Sequence, residues 1–359
     1  MRITVIGAYG YTGLLICNEL EKRKISFVVA GRENSKLIPL KELFSHITEF
    51  ICVDISTNQG IEDVLASTDL LINCAGPYNE ESADLARAAS EFGKIYLDIC
   101  GELDFVKNSF INNNTKAQAS GAIIVHACAF ESLPFDLVLS IILKSIGTIN
   151  ELRSFYSFTN SRPSPGTRLT MKLARFRMSF KISKGIWQVS DYVKDKLNIS
   201  WSQYPQINVG VPYPLPEILF SHLGCKPQES ASYLLLSKEE AAFVNPIEYN
   251  GPSKDEIIAT NKKRKVAGPR ESERQMQEFK ITICATNTHS KKECITISGN
   301  DMYLCTAKAI AFTVEEIMTL KVLPNGVIRP AELFVGKEEE CLKLLGLQFD
   351  KNNDFYINE

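Results

Sequence analysis

Histidine and tryptophan are scarce in this 359-residue chain, with four and two copies. His46, His126, His222 and His289 are scattered without the spacing of a ligand set, so no structural metal is expected. Ten cysteines are present, but none form a C-x-x-C pair. Cys52, Cys74, Cys100 and Cys128 lie at or near the ends of apolar segments, where a free thiol acts as a small hydrophobe. That usage fits a reducing compartment better than a disulfide framework. Neither charge dominates: 40 Lys and Arg against 42 Asp and Glu leave a net charge of −2. No global basic field therefore draws the chain to nucleic acid. No apolar run reaches membrane-spanning length, and the longest, around Leu137 to Leu143, is a core-sized piece. A strand opens directly after Met1-Arg2, leaving no room for a targeting peptide, and a cytoplasmic protein is expected. Internal repeats and low-complexity tracts are missing too.

What is present begins at once. Ile3, Thr4, Val5 and Ile6 form a short buried strand, and Gly7, Gly10 and Gly13 follow at a spacing of three. An amphipathic helix then starts with Leu14, Leu15, Cys17 and Leu20. This is the strand–turn–helix arrangement of a dinucleotide site. Gly7 permits the turn, Gly10 lets backbone approach a pyrophosphate, and Gly13 lets helix and strand pack closely. The spacing G-x-x-G-x-x-G makes the turn one residue longer than the commoner form. Ala8 and Thr12 complete it, and Tyr9 and Tyr11 flank the phosphates.

Ser26 to Ala30 reads as the second strand, followed by Gly31-Arg32. A site for NAD places a carboxylate about 20 residues past the glycines. Here the position carries Arg32, with Ser35 and Lys36 beyond, and a guanidinium suits a 2′-phosphate. The expected cofactor is NADP(H). Glu33 dissents, since a carboxylate one step away suits the ribose instead.

Strands and helices alternate to about residue 126. Further strands are expected at Glu49 to Val53 (ending at Asp54, at the cofactor edge), Leu70 to Asn73, Ile95 to Asp98 and Ala122 to His126. Helices fit at Ser35 to Phe44, Gly60 to Ala66, Glu80 to Phe92 and Leu103 to Ala119. Such alternation with apolar strands predicts an α/β fold, a Rossmann-type doubly wound parallel sheet. After Pro134 the texture becomes that of a second, α+β domain. Residues 135–146 are apolar at helical spacing, and Lys280 to Ala285 with Cys294 to Ser298 read as a hairpin. Pro and Gly cluster at Tyr204 to Pro216 and Pro246 to Pro252. Helices return at Met302 to Thr319 and, opened by Pro330, at Ala331 to Leu345. The expected boundaries are 1–133 for the nucleotide domain, 134–300 for a substrate and dimerisation domain, and 301–359 packing back on the first.

Ligands of such a sheet bind at the carboxyl ends of its strands. Cys74, Ala75, Gly76 and Pro77 are small enough for close approach to the cofactor, and Tyr78 either reaches the nicotinamide or packs as a loop aromatic. Asp98, Gly101 and Glu102 follow the fifth strand, where catalytic or cofactor-orienting carboxylates belong. Glu102 equally suits a helix N-terminus, and Ser132 before Pro134 reads as a helix cap. Tyr78 and Asp98 are the catalytic candidates. Tyr192 and Lys196 match the Tyr-x-x-x-Lys pair of short-chain reductases, but lie well beyond the sixth strand and are set aside.

With these segments in hand, the chain resembles the saccharopine dehydrogenase-like oxidoreductases, especially the trans-acting enoyl reductases. The resemblance rests on Gly7 to Gly13, Ala30-Gly31-Arg32, Cys74 to Tyr78, Tyr96 to Glu102 and Phe130 to Asp136, in order. Pro165-Gly166-Thr167, Gly268-Pro269, Gly299-Asn300-Asp301 and Gly326-Val327 continue it. Ala129, Glu131 and Cys100 stand where the family has Gly, Asp and Thr. The resemblance implies an NADP-linked reductase acting on a C=C bond of an acyl chain or on an imine. The alternative is a protein that binds NADP(H) without catalysis.

Between Glu151 and Asp191 no acidic residue occurs, while eight Arg and Lys accumulate from Arg153 to Lys184. Leu169, Leu173, Phe176 and Phe180 share a helical face, yet Phe176, Met178, Phe180 and Ile182 alternate like a strand. Such a stretch suits an acidic carrier protein, a phosphopantetheine or CoA phosphate, an anionic membrane surface or plain solvent. The Lys262 to Lys265 run reads as a mobile loop.

Overall fold

The computed structural model describes the whole chain except residues 175, 202–203, 245–250, 264–266, 352–354 and 359. Arg175 of the basic stretch, most of the Pro246 to Pro252 cluster, and Arg264 and Lys265 thus lie outside the described residues. Lys262 and Lys263 end a helix, Lys254–Lys263, rather than standing in a loop.

The chain divides into two compact units, Met1–Leu133 with Tyr303–Leu345, and Pro134–Met302 with Gly346–Glu359. Strands β1 (Ile3–Ile6), β2 (Phe27–Gly31), β3 (Ile47–Cys52), β4 (Leu70–Asn73), β5 (Ile95–Asp98) and β6 (Ile123–Val125) build the first unit's sheet. A seventh strand, Gly326–Ile328, arrives from far along the chain and pairs with β6. All pairs are parallel, in the order Gly326–Ile328, β6, β5, β4, β1, β2, β3. Strand order reverses at β1, which lies between β4 and β2. β1 and β4 are buried throughout, as expected of strands covered on both faces.

Proline and glycine redraw two helices. The segment expected as one helix over Ser35 to Phe44 forms two turns, Asn34–Leu37 and Leu40–Leu43, around Pro39, which has no amide to donate. Beyond Pro330 a short 3₁₀ turn, Pro330–Phe334, precedes a helix at Glu338–Leu344, because Gly336 at φ +84 breaks the run. The tail also departs from the expected packing of 301–359. Gln348–Asp350 and Phe355–Asn358 are strands of the second unit's sheet.

That second sheet is mixed. It contains β7 (Ile149–Thr159), β8 (Phe180–Ser183), β9 (Ile186–Val189), β10 (Leu197–Trp201), β11 (Val209–Pro212), β12 (Glu229–Leu236), β13 (Glu278–Asn287) and β14 (Lys292–Asn300). β7 is central, parallel to β12 and antiparallel to β13. β13 and β14 form the expected hairpin, longer at both ends. Cys284 and Cys294 face each other across it with Cα atoms 4.1 Å apart and are disulfide-bonded. The expectation of unpaired thiols is corrected here: hairpin register, not C-x-x-C spacing, brings these two together.

The basic stretch does not form one face. Leu169 and Leu173, on the helix Pro165–Ala174, are buried against Ile257, while Phe180 belongs to β8. Arg153 pairs with Glu151, Arg162 with Glu273, and Lys181 Nζ lies 2.6 Å from Asp195 Oδ1.

Candidate functional site

The glycine turn joins β1 to the helix Tyr11–Lys22, with Gly10 at its N-cap. Gly7 holds φ +75, and a Cβ there would lie 3.0 Å from Ala75 N. A Cβ on Gly13 would lie 2.3 Å from the Gly7 carbonyl oxygen, and one on Gly10 3.0 Å from the same atom. Only glycine leaves this backbone open and the helix amides free to face a pyrophosphate. The first turn of the helix carries no acidic residue to oppose an anion.

The tyrosines do not flank the turn symmetrically. Tyr9 lies against Gly31, where a Cβ would sit 2.5 Å from its ring, and its hydroxyl accepts a hydrogen bond from Arg32 N at 3.2 Å. Tyr11 meets Tyr303 edge-on, with ring centroids 4.9 Å apart. Ala8 is fully buried and supports the turn from beneath, and half-buried Thr12 opens the helix. Arg32, Ser35 and Lys36 are all exposed beyond β2. Lys36 Nζ stands 5.3 Å from the Tyr9 ring centroid and 2.6 Å from Glu33 Oε1. Glu33, the dissenting carboxylate, is thus neutralised by Lys36. Asp54 turns to its own loop: Oδ1 accepts from Ser56 N and Oγ at 3.1 and 2.8 Å. These bonds, with the nearby Arg32 charge, hold its carboxyl below the usual range.

At the ends of β4, β5 and β6 a buried polar network appears that the strand pattern did not reveal. Asn73 donates to Tyr96 Oη at 3.0 Å and accepts from Ala75 N at 3.0 Å, setting the path of the Cys74–Tyr78 loop. Tyr78 Oη donates to the Asn73 carbonyl at 2.9 Å and accepts from Ile99 N at 3.3 Å. It bridges two strand ends. Burial and the Asp98 charge push its phenol well above the ordinary value, so it stays protonated.

Asp98 has no exposed surface. Its Oδ2 lies 2.6 Å from His126 Nδ1, while Oδ1 accepts from Ala127 N at 2.9 Å and Cys100 N at 3.2 Å. Burial opposes its ionisation, but the charge and hydrogen bond of His126 outweigh it, and the carboxyl stays below its usual range. One carboxylate therefore fastens the loops after β5 and β6 together. Ala127, held at φ +57, is part of that fastening. Tyr78 and Asp98, the two catalytic candidates, both make hydrogen bonds to their own chain at these strand ends. Cys100, Asp98 and His126 lie within 4.8 Å of one another, a proximity that separation along the chain concealed. His126 was visible as the end of an apolar strand, and a polar residue there is the one signal for its role.

Glu102 is also buried, and its Oε2 accepts from Gly101 N at 2.9 Å instead of capping the helix Leu103–Ser120. Cys74, Ala75 and Pro77 are half-buried, and Gly76 is exposed at the rim. The helix Met302–Thr319 supports this edge from far along the chain: Phe130 N donates to Thr306 Oγ1 at 3.2 Å. Tyr192 is committed elsewhere, its hydroxyl donating to the Ala241 carbonyl at 2.9 Å.

Residues 3–125 match the family model of the saccharopine dehydrogenase NADP binding domain. A saccharopine dehydrogenase-like oxidoreductase of Rattus norvegicus is 30% identical over 181 residues, covering 45% of this chain and 42% of that protein. A trans-acting enoyl reductase of Mycobacterium ulcerans is 29% identical over 140 residues, covering 38% of this chain and 34% of that protein. The chain spans only about a third to two fifths of the length of these curated relatives. Among solved structures, apo saccharopine dehydrogenase (L-Glu forming) of Saccharomyces cerevisiae superposes with a TM-score of 0.64, 11% identity and full coverage of both chains, a likeness of fold. The glycine turn and the Arg32 edge thus lie in a stretch, residues 3–125, that is similar to the saccharopine dehydrogenase NADP binding domain.

Proposed function

We propose that the protein is an NADPH-dependent reductase acting on the C=C bond of an acyl substrate or on an imine. The observation that carries this reading is the exposed Arg32, held by Tyr9 beside a turn that admits only glycine. The cofactor supplies a hydride when bound. The chain's own residues bind and orient. Helix amides after Gly10 take the pyrophosphate, and Arg32 with Lys36 takes the 2′-phosphate. Tyr78 and Asp98 keep the loops after β4, β5 and β6 in place through their hydrogen bonds. We assign substrate binding and self-association to residues 134–300, and a cytoplasmic setting to the whole. No helix among the described residues is long and apolar enough to cross a membrane.

Loss of the NADPH absorbance band with a panel of enoyl-thioesters and cyclic imines tests the reading. Turnover on either class is the expected result. Failure of calorimetry to detect NADPH or NADP⁺ binding would overturn it.

A second reading, a non-catalytic NADP(H) sensor or scaffold, draws on a specific observation: Tyr78, Asp98 and Glu102 all bond to their own chain. Tight NADPH binding without oxidation across the panel would favour it.

A further inference from the structure

Six large apolar side chains between residues 171 and 193 face solvent in the second unit: Met171, Phe176, Met178, Ile186, Val189 and Val193. Their exposures run from 44% for Phe176 to 65% for Ile186. Such clustering over a short stretch is unusual for a surface that stays in water.

Strand register shows how the patch is built. β8 and β9 form a hairpin in which Phe180 opposes Val189 and Ile182 opposes Trp187. Lys184 and Gly185 turn it, both with positive φ (53 and 73), as a two-residue turn of this kind requires. Opposed residues share a face, and so do residues two apart on one strand. Phe180, Ile182, Trp187 and Val189 therefore lie on one face, and Met178 stands two residues ahead of Phe180, before the strand begins. That face is anchored at one end, where Ile182 is 1% exposed and Trp187 meets His222 edge-on. At the other end it emerges into solvent as Met178 and Val189, 57% and 56% exposed. Phe176 precedes this end directly, whereas Ile186, opposed to Ser183, lies on the other face of the hairpin near its tip.

Basic side chains outnumber acidic ones along this stretch. Between residues 171 and 196 the chain carries seven Lys and Arg and two Asp. Both acids are taken, Asp195 by Lys181 and Asp191 by Lys194, and Glu229 of β12 accepts from Ser183 Oγ and Lys184 N at the turn. Lys172 and Lys184 are exposed among the apolar side chains. Aliphatic and aromatic groups interleaved with cations match a phospholipid interface, where anionic headgroups lie just above acyl chains.

We propose that the β8–β9 hairpin, with Phe176 and Met178 before it, docks the protein on a phospholipid surface carrying anionic headgroups. The surface lies within the second unit and uses none of the nucleotide-binding residues, so it stands or falls apart from the reductase reading.

Flotation of the full chain with vesicles tests the proposal. One set is pure phosphatidylcholine and the other carries about a third phosphatidylserine. The protein is expected to float with the anionic vesicles, and binding is expected to fall about tenfold or more in high salt. The double variant Met178→Glu with Val189→Glu should lose about tenfold or more of that binding by placing charge in the apolar rim. Both positions are exposed, so NADPH affinity and melting temperature should match the parent protein. Lys172→Glu with Lys184→Glu should remove the phosphatidylserine-dependent part. No flotation of the parent chain, or equal flotation of the variants, would overturn the proposal. So would capture by an acidic carrier protein without lipid binding, or a dimer that the Met178→Glu, Val189→Glu variant splits while vesicles recruit nothing.

Discussion

Asp98 illustrates how a single residue changes meaning between sequence and structure. Its place at the end of an apolar strand suggests chemistry, and its carboxylate also fastens three partners, His126, Ala127 and Cys100. Removing its charge leaves His126 buried without its partner, and losing one member of a buried pair costs about 3–5 kcal/mol. Asp98→Asn should therefore lower unfolding free energy by about that much in urea titrations. The sign of the pH dependence follows from the carboxyl's depressed folded-state value. Its stabilisation is complete above the unfolded-state value near pH 4 and is lost as pH falls through the lower folded-state value. Melts between pH 6 and 2 should show a steeper acid loss in the parent protein than in Asp98→Asn. Arg32→Ala should cost about 1.5–3 kcal/mol of NADPH binding, roughly tenfold to a hundredfold, and leave NADH affinity nearly unchanged by calorimetry. Arg32 was legible because a 2′-phosphate needs a cation at one predictable place. His126 was not, because its partner is 28 positions away.

At the scale of elements, β4 and β5 occupy the residues the apolar pattern marks, since short buried strands flanked by polar turns admit no other register. The helix Tyr11–Lys22 begins earlier than its apolar residues suggest, because Gly10 already serves as N-cap. Gly13→Ala should be costly there: the new methyl would meet a backbone oxygen that has little room to move. A loss of about 1–3 kcal/mol in thermal melts, with weaker NADPH binding, is expected. The β8–β9 hairpin was hidden by its own composition, since helical and strand periodicities fit the same residues. Its Lys184-Gly185 turn decides between them. The cross-strand cysteines make a further test. Alkylation of denatured protein prepared without reductant should label the eight free thiols, and all ten after reduction. Ten labelled thiols without reduction would mean that the hairpin holds a dithiol, as a reducing compartment would keep it.

The whole molecule adds what no window of residues contains. The first unit is discontinuous, completed by Tyr303–Leu345. A chain ending at residue 301 would lack the strand paired with β6, the Thr306 hydroxyl that accepts from Phe130 and the Tyr303 ring beside Tyr11. It should melt at lower temperature than the full chain and bind NADPH more weakly, as followed by calorimetry and circular dichroism. In the full chain, saturating NADP⁺ should stabilise the unit that binds it by about 2.7 kcal/mol at a hundred times Kd, seen as a rise in melting temperature.

The sequence by itself determined the local chemistry: a glycine turn, a cation where NADP needs one, and alternating apolar strands that close into a parallel sheet. These are short-range facts, since steric freedom and periodicity act over a few residues. Only the tertiary structure decided which polar groups stay available. Burial and hydrogen bonding between strand ends tied Tyr78 to the Asn73 carbonyl and Asp98 to His126. Register, not spacing, joined Cys284 to Cys294 and sent the last strands to the second sheet. Those outcomes depend on partners distant along the chain, chosen by shape and by the need to satisfy every buried donor and acceptor.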